Sequence, residues 1–155
     1  MIRSAAYLCV VMGISVASMA CSRSQNKGGS AGDADKMQGV WEIEKLEQDG
    51  ESAADASIMK KVIIKDDQFA FRYYLPRSKE DGDLVYNFQL DESKNPRQIR
   101  LRSSAEGELP PGIYELDGEI LKVCWSRKDP NPPTDFTCAK GSDRRLLVLR
   151  RAKAG

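Results

Sequence analysis

A chain of 155 residues, once shortened by a leader, carries enough material for one domain around one core. Its 24 lysines and arginines nearly cancel its 23 aspartates and glutamates, so it lacks the basic footprint of a nucleic-acid binder. It contains no histidine, which excludes Ser-His-Asp and Cys-His triads and His-ligated zinc, and leaves chemistry to carboxylates, lysines, tyrosines and thiols.

Met1-Ile2-Arg3 makes a short positive start, and residues 5–17 form an apolar run too short and too rich in Ser, Gly and Ala to span a bilayer. Residues 1–20 therefore read as an export signal peptide. Ser18 and Ala20 flank Met19 in a pattern that signal peptidase accepts, and Cys21 follows at once. That placement resembles the lipobox of bacterial lipoproteins, in which the cysteine becomes the lipidated first residue. The Leu and Ala or Ser usual in that motif are Ser18 and Met19 here. The resemblance implies a lipid membrane as partner, reached through an acylated N-terminus, and an envelope location on the periplasmic side or at the outer membrane. The alternative is an ordinary signal peptide cut nearby, with an incidental thiol at Cys21.

Cysteine parity bears on the same point. Cys9 leaves with the leader, and Cys21, Cys124 and Cys138 remain in an oxidising compartment. Cys124 and Cys138 are symmetric about Asn131. If the loop between them returns the chain antiparallel, the two sulfurs face each other, and a disulfide there contributes on the order of 3 kcal/mol. Cys21 is then the odd thiol, as lipidation requires. The segment 22–36 has no apolar residue larger than alanine, so residues 21–36 read as a flexible tether. At about 5–6 Å times the square root of its length, such a tether holds the domain roughly 20 Å from its anchor.

The folded domain is expected over 37–151. Its first strand, 37–46, places Trp41 and Ile43 on one face, and Asp49-Gly50 makes the following turn. Residues 52–60 lean toward one or two helical turns. Short strands follow at 61–65 and 68–75, joined by an Asp66-Asp67 turn, and Phe69, Phe71, Tyr73 and Leu75 alternate along the second. Residues 84–90 alternate again, with Leu84, Tyr86, Phe88 and Leu90 on one side. In 97–102, Ile99 and Leu101 point one way and Arg100 and Arg102 the other.

Asp117-Gly118 lies between two alternating runs and predicts a tight hairpin over 112–125. With those two residues as the loop, Leu116 faces Glu119 and Tyr114 faces Leu121. Tyr114, Leu116, Leu121, Val123 and Trp125 then share a face. Strands at 134–139 and 145–151 complete the set. One wet face per strand belongs to antiparallel sheets. About eight such strands with at most one short helix predict an all-β barrel or sandwich, of which a small antiparallel up-and-down barrel is favoured because closure removes the edges.

Two resemblances meet in these words. Gly39-Val40-Trp41 near the start of the first strand, with Arg150 and Arg151 ending the last, resembles the lipocalin arrangement in which a Gly-x-Trp tryptophan packs beneath a late arginine and closes one end of the barrel. Gly39, Trp41 and Arg150 are the closure residues so implied. From Met37 to Arg151 the chain is also similar to an uncharacterised lipocalin-like domain family of exported planctomycete-type bacterial proteins. The matching words are Gln38-Gly39-Val40-Trp41, Leu46-Glu47-Gln48-Asp49-Gly50, Gly112-Ile113-Tyr114-Glu115-Leu116-Asp117-Gly118, Leu121-Lys122-Val123-Cys124, Pro133-Thr134-Asp135-Phe136 and Leu146-Leu147-Val148-Leu149-Arg150. The resemblance implies a fold and names neither ligand nor reaction.

The leading functional expectation is an envelope-anchored binding protein without catalysis, holding a small apolar ligand against Phe69, Phe71, Tyr73, Tyr86, Phe88, Tyr114 and Trp125. For any single one of these aromatics, simple core filling is the commoner role. The alternative is a structural or protein-interaction module of the envelope with a packed interior, presenting the Pro-rich loop 129–133. Arg97, Arg100 and Arg102 could meet an anionic surface, though the balanced charge favours a solvated face. An enzymatic reading would use paired carboxylates such as Glu106 with Glu108 or Asp81 with Asp83, and loop carboxylates beside glycines are usually turn residues. No cofactor, metal or nucleic-acid partner is expected.

Overall fold

The computed structural model describes residues 32–153. The signal peptide 1–20, Cys21 and the tether up to residue 31 lie outside the described residues. Helix α1 (Asp33–Met37) leads into strands β1 (Gly39–Gln48), β2 (Glu51–Ser52), β3 (Met59–Lys65), β4 (Gln68–Leu75) and β5 (Glu80–Asp91). Strands β6 (Gln98–Ser103), β7 (Gly107–Glu108), β8 (Gly112–Asp117), β9 (Ile120–Ser126) and β10 (Arg144–Arg151) follow.

Eight of these strands form a closed up-and-down antiparallel barrel. Each pairs with its neighbour in the chain, from β1 through β3, β4, β5, β6, β8 and β9 to β10, and β10 returns to β1 along Trp41–Gln48. The two-residue strands β2 and β7 are short additions to β1 and β6. Closure leaves no long strand unpaired, which is how an alternating sequence avoids exposed backbone donors and acceptors.

The alternation read along each strand sets the inside. Trp41, Val62, Ile64, Phe69, Phe71, Tyr86, Phe88, Ile99, Leu101, Tyr114, Leu121, Val123, Leu147 and Leu149 are buried in one cluster. In the hairpin, the register differs from expectation. Asp117 pairs with Ile120 and Tyr114 with Val123, so Gly118-Glu119 is the loop and only Gly118 takes a positive φ, of 54°. Glycine at the first central position suits a two-residue hairpin turn. The shift is by two residues, so the predicted face is kept; a shift by one would have inverted it.

Two segments differ in kind. Residues 52–60 form no helix, only two hydrogen-bonded turns, with Ala56 N donating to Ala53 O at 3.0 Å and Met59 N to Asp55 O at 3.0 Å. Residues 134–139 form no strand, because the loop 127–143 lies on the outer wall of the barrel instead. There Phe136 and Cys138 pack on Ile113, Cys124 and Leu146 as a second small core. Cys124 and Cys138 are therefore not cross-strand neighbours: the strands beside Cys124 are β8 and β10, and both thiols are free and buried. Cys138 Sγ donates to Arg144 O at 3.2 Å, and burial pushes the Cys124 thiol up to about 11.

Candidate functional site

The strands run between two ends of different character. One end is plugged. Trp41 is fully buried and its Nε1 donates to Met37 O at 2.8 Å, tying the strand to the helix before it. The guanidinium of Arg151 lies 4.3 Å from the Trp41 ring and donates to Gln38 O at 2.7 Å and Lys36 O at 2.6 Å. Arg150, the closure residue read from the sequence, instead points outward and pairs with Glu44 at 2.6 Å. Parity explains the correction: Leu147 and Leu149 face inward, so Arg151 does too and Arg150 cannot. Gly39 has φ 128°, a backbone conformation that favours glycine, and a Cβ there would sit 3.1 Å from Arg151 Nη1, which would have to shift slightly.

The same end corrects the boundary of the tether. Residues 33–36 belong to α1, and Asp33 is buried, accepting from Tyr114 Oη at 3.0 Å and pairing with Arg97. The Arg97 guanidinium also stands 5.3 Å from the Tyr114 ring. Burial, and then the hydrogen bond to Asp33, raise the Tyr114 hydroxyl above its ordinary range. A segment without large apolar residues thus orders through polar contacts that supply the partners its buried carboxylate needs. Arg97 is consequently a tie within the closed end. Arg100 faces outward, 4.0 Å from Glu108.

The other end is open and holds a cavity of ≈ 350 Å³. Its apolar wall is Leu46, Met59, Phe71, Leu84, Leu109, Pro110 and Trp125, with Tyr86 between them. Asp55, Glu106, Arg127 and Arg145 supply the polar groups. Of the aromatics expected to line a ligand site, Phe71, Tyr86 and Trp125 line this cavity. Phe69, Phe88 and Tyr114 fill the packed half below, with Phe69 and Phe71 ring centres 5.1 Å apart, while half-buried Tyr73 lies outside the lining. Gly112 makes room for Trp125, since a Cβ there would meet Cys124 O at 2.9 Å and Trp125 Cβ at 3.3 Å.

Charge at the mouth is arranged unevenly. Tyr86 Oη donates to Glu106 Oε2, and burial, followed by that bond, raises its pKa. Arg145 reaches both carboxylate oxygens of Asp55 through Nη2 and lies 6.0 Å from the Trp125 ring. Among the described residues its Nε is buried with no hydrogen-bond partner. Arg127 is exposed and makes no ion pair among the described residues. Asp81 and Asp83, the other carboxylate pair, are engaged by Lys60 at 2.7 Å and by both nitrogens of an Arg72 fork at 2.7–2.8 Å.

Sequence reasoning missed Asp55, Arg127 and Arg145 as lining residues. Arg145 was findable, because it shares the inward parity of Leu147 and Leu149. Asp55 and Arg127 come from connecting segments, where no periodicity reports which way a side chain points. A scan of family models, of curated proteins and of solved structures matched none of them to this chain.

Proposed function

We propose that this protein is a lipocalin-like binding protein of the cell envelope, taking a small apolar molecule into the open end of its barrel. The observation that carries this reading is the ≈ 350 Å³ cavity at one end of a barrel whose other end is plugged. A volume in that range, walled by apolar and aromatic side chains with a few convergent polar groups, is the usual form of a small-molecule site. At roughly 30 Å³ per non-hydrogen atom it accommodates about a dozen of them.

The export signal and the Cys21 placement support an envelope address, with lipid on the cysteine. α1 sits at the plugged end, so the chain enters the domain on the side opposite the cavity mouth. Native mass spectrometry of protein purified from its own membrane tests the reading. A retained small molecule, lost when Leu84→Trp fills the cavity, is the expected result. An empty barrel with a co-purifying protein would replace it with the interaction-module reading.

A further inference from the structure

We infer that the ligand of the open end carries an anionic group, of carboxylate type, at the end that remains at the mouth. This rests on the reading that the cavity takes a small apolar molecule, and adds which polar end that molecule must have. The four charged residues of the lining sum to zero, two carboxylates against two guanidiniums, so net charge does not decide the matter. Unused hydrogen-bonding capacity does.

One carboxylate is committed and the other is half so. Both Asp55 oxygens accept from Arg145 Nη2, and Glu106 accepts the Tyr86 hydroxyl proton on Oε2, leaving Oε1 to solvent. The donors are not exhausted. Arg145 Nη1 makes no hydrogen bond among the described residues, and Arg127 lines the cavity with no ion pair among them. An arginine fork matches a carboxylate in shape as well as in charge. An anionic head group supplies the missing acceptors while its apolar body lies against Phe71, Leu84 and Trp125. A cationic head would meet one free oxygen of a solvated Glu106 and two guanidiniums of its own sign.

The test is displacement of the neutral fluorophore 1-aminonaphthalene from the signal-free chain by decanoate, decanol and decylammonium, ligands of one chain length and three head groups. Decanoate is expected to displace it at about tenfold lower concentration than decanol, with decylammonium weakest. Arg127→Gln, a change at an exposed side chain without an ion pair, should bring the decanoate-to-decanol ratio close to one. Asp55→Asn, which frees Arg145, should widen it. Equal displacement by all three, or preference for decylammonium, overturns the anionic head group and leaves the apolar cavity standing. A chain that binds neither the fluorophore nor any of the three overturns both.

Discussion

The two ends of this barrel are built from the same alternating strands and yet solve opposite problems. At the plugged end every large group found a partner: Trp41 stacks under Arg151 and bonds to Met37, and Asp33 gathers Arg97 and Tyr114. At the open end the strands diverge into connecting segments, the wall stops short of filling the interior, and Arg145 Nε is left unpartnered. Satisfied polar groups and close packing mark a part that holds shape, whereas a void with leftover donors has room and hydrogen-bonding capacity for another molecule.

The contrast predicts unequal costs for truncation. Trp41→Ala removes the plug from a fully packed site and should cost about 3–5 kcal/mol in urea unfolding. Leu109→Ala, beside a cavity that solvent already reaches, should cost about 1 kcal/mol or less. Equal costs at the two positions would erase the distinction between the ends.

What the sequence disclosed follows the same division. The plugged end is strand-borne, and period-two alternation fixed its faces even where the hairpin register was off by two. The closure arginine was misplaced by one residue only because the parity of Leu147 and Leu149 was not carried on to Arg151. The helix α1 was invisible, because Met37 is its one large apolar residue and its start is held by Asp33 meeting Arg97 and Tyr114, residues more than sixty positions away. The cavity was half legible: Phe71, Tyr86 and Trp125 announce themselves by alternation, while Asp55 and Arg127 ride on connecting segments. The disulfide inference failed for a related reason, since symmetric spacing says nothing about whether a loop returns as a strand or folds over the outer wall.

A smaller effect tests the polar tie at the plugged end. Asp33→Asn keeps the size of the side chain but removes the charge facing Arg97, and should lower stability by about 1–2 kcal/mol. An unchanged urea midpoint would show that α1 is held by Met37 and Arg151 alone. A pH-dependent effect concerns the outer wall. The Cys124 thiol is raised to about 11 by burial, so its contribution is complete below the unfolded value of about 8.5 and is lost as pH rises toward 11. Cys124→Ala should therefore lose less stability than the parent between those limits. A parallel decline would mean that the thiol is not buried beneath the 127–143 loop.

The most direct measurement uses the fact that the chain has two tryptophans, one at each end of the barrel. A brominated decanoate quenches indole emission only at close range. With Trp41→Phe, the remaining Trp125 lines the cavity and its emission should fall saturably as the quencher is added. With Trp125→Phe, the remaining Trp41 beneath Arg151 should keep its emission. Quenching of Trp41 instead of Trp125, or saturable quenching of neither, would contradict a ligand site at the open end.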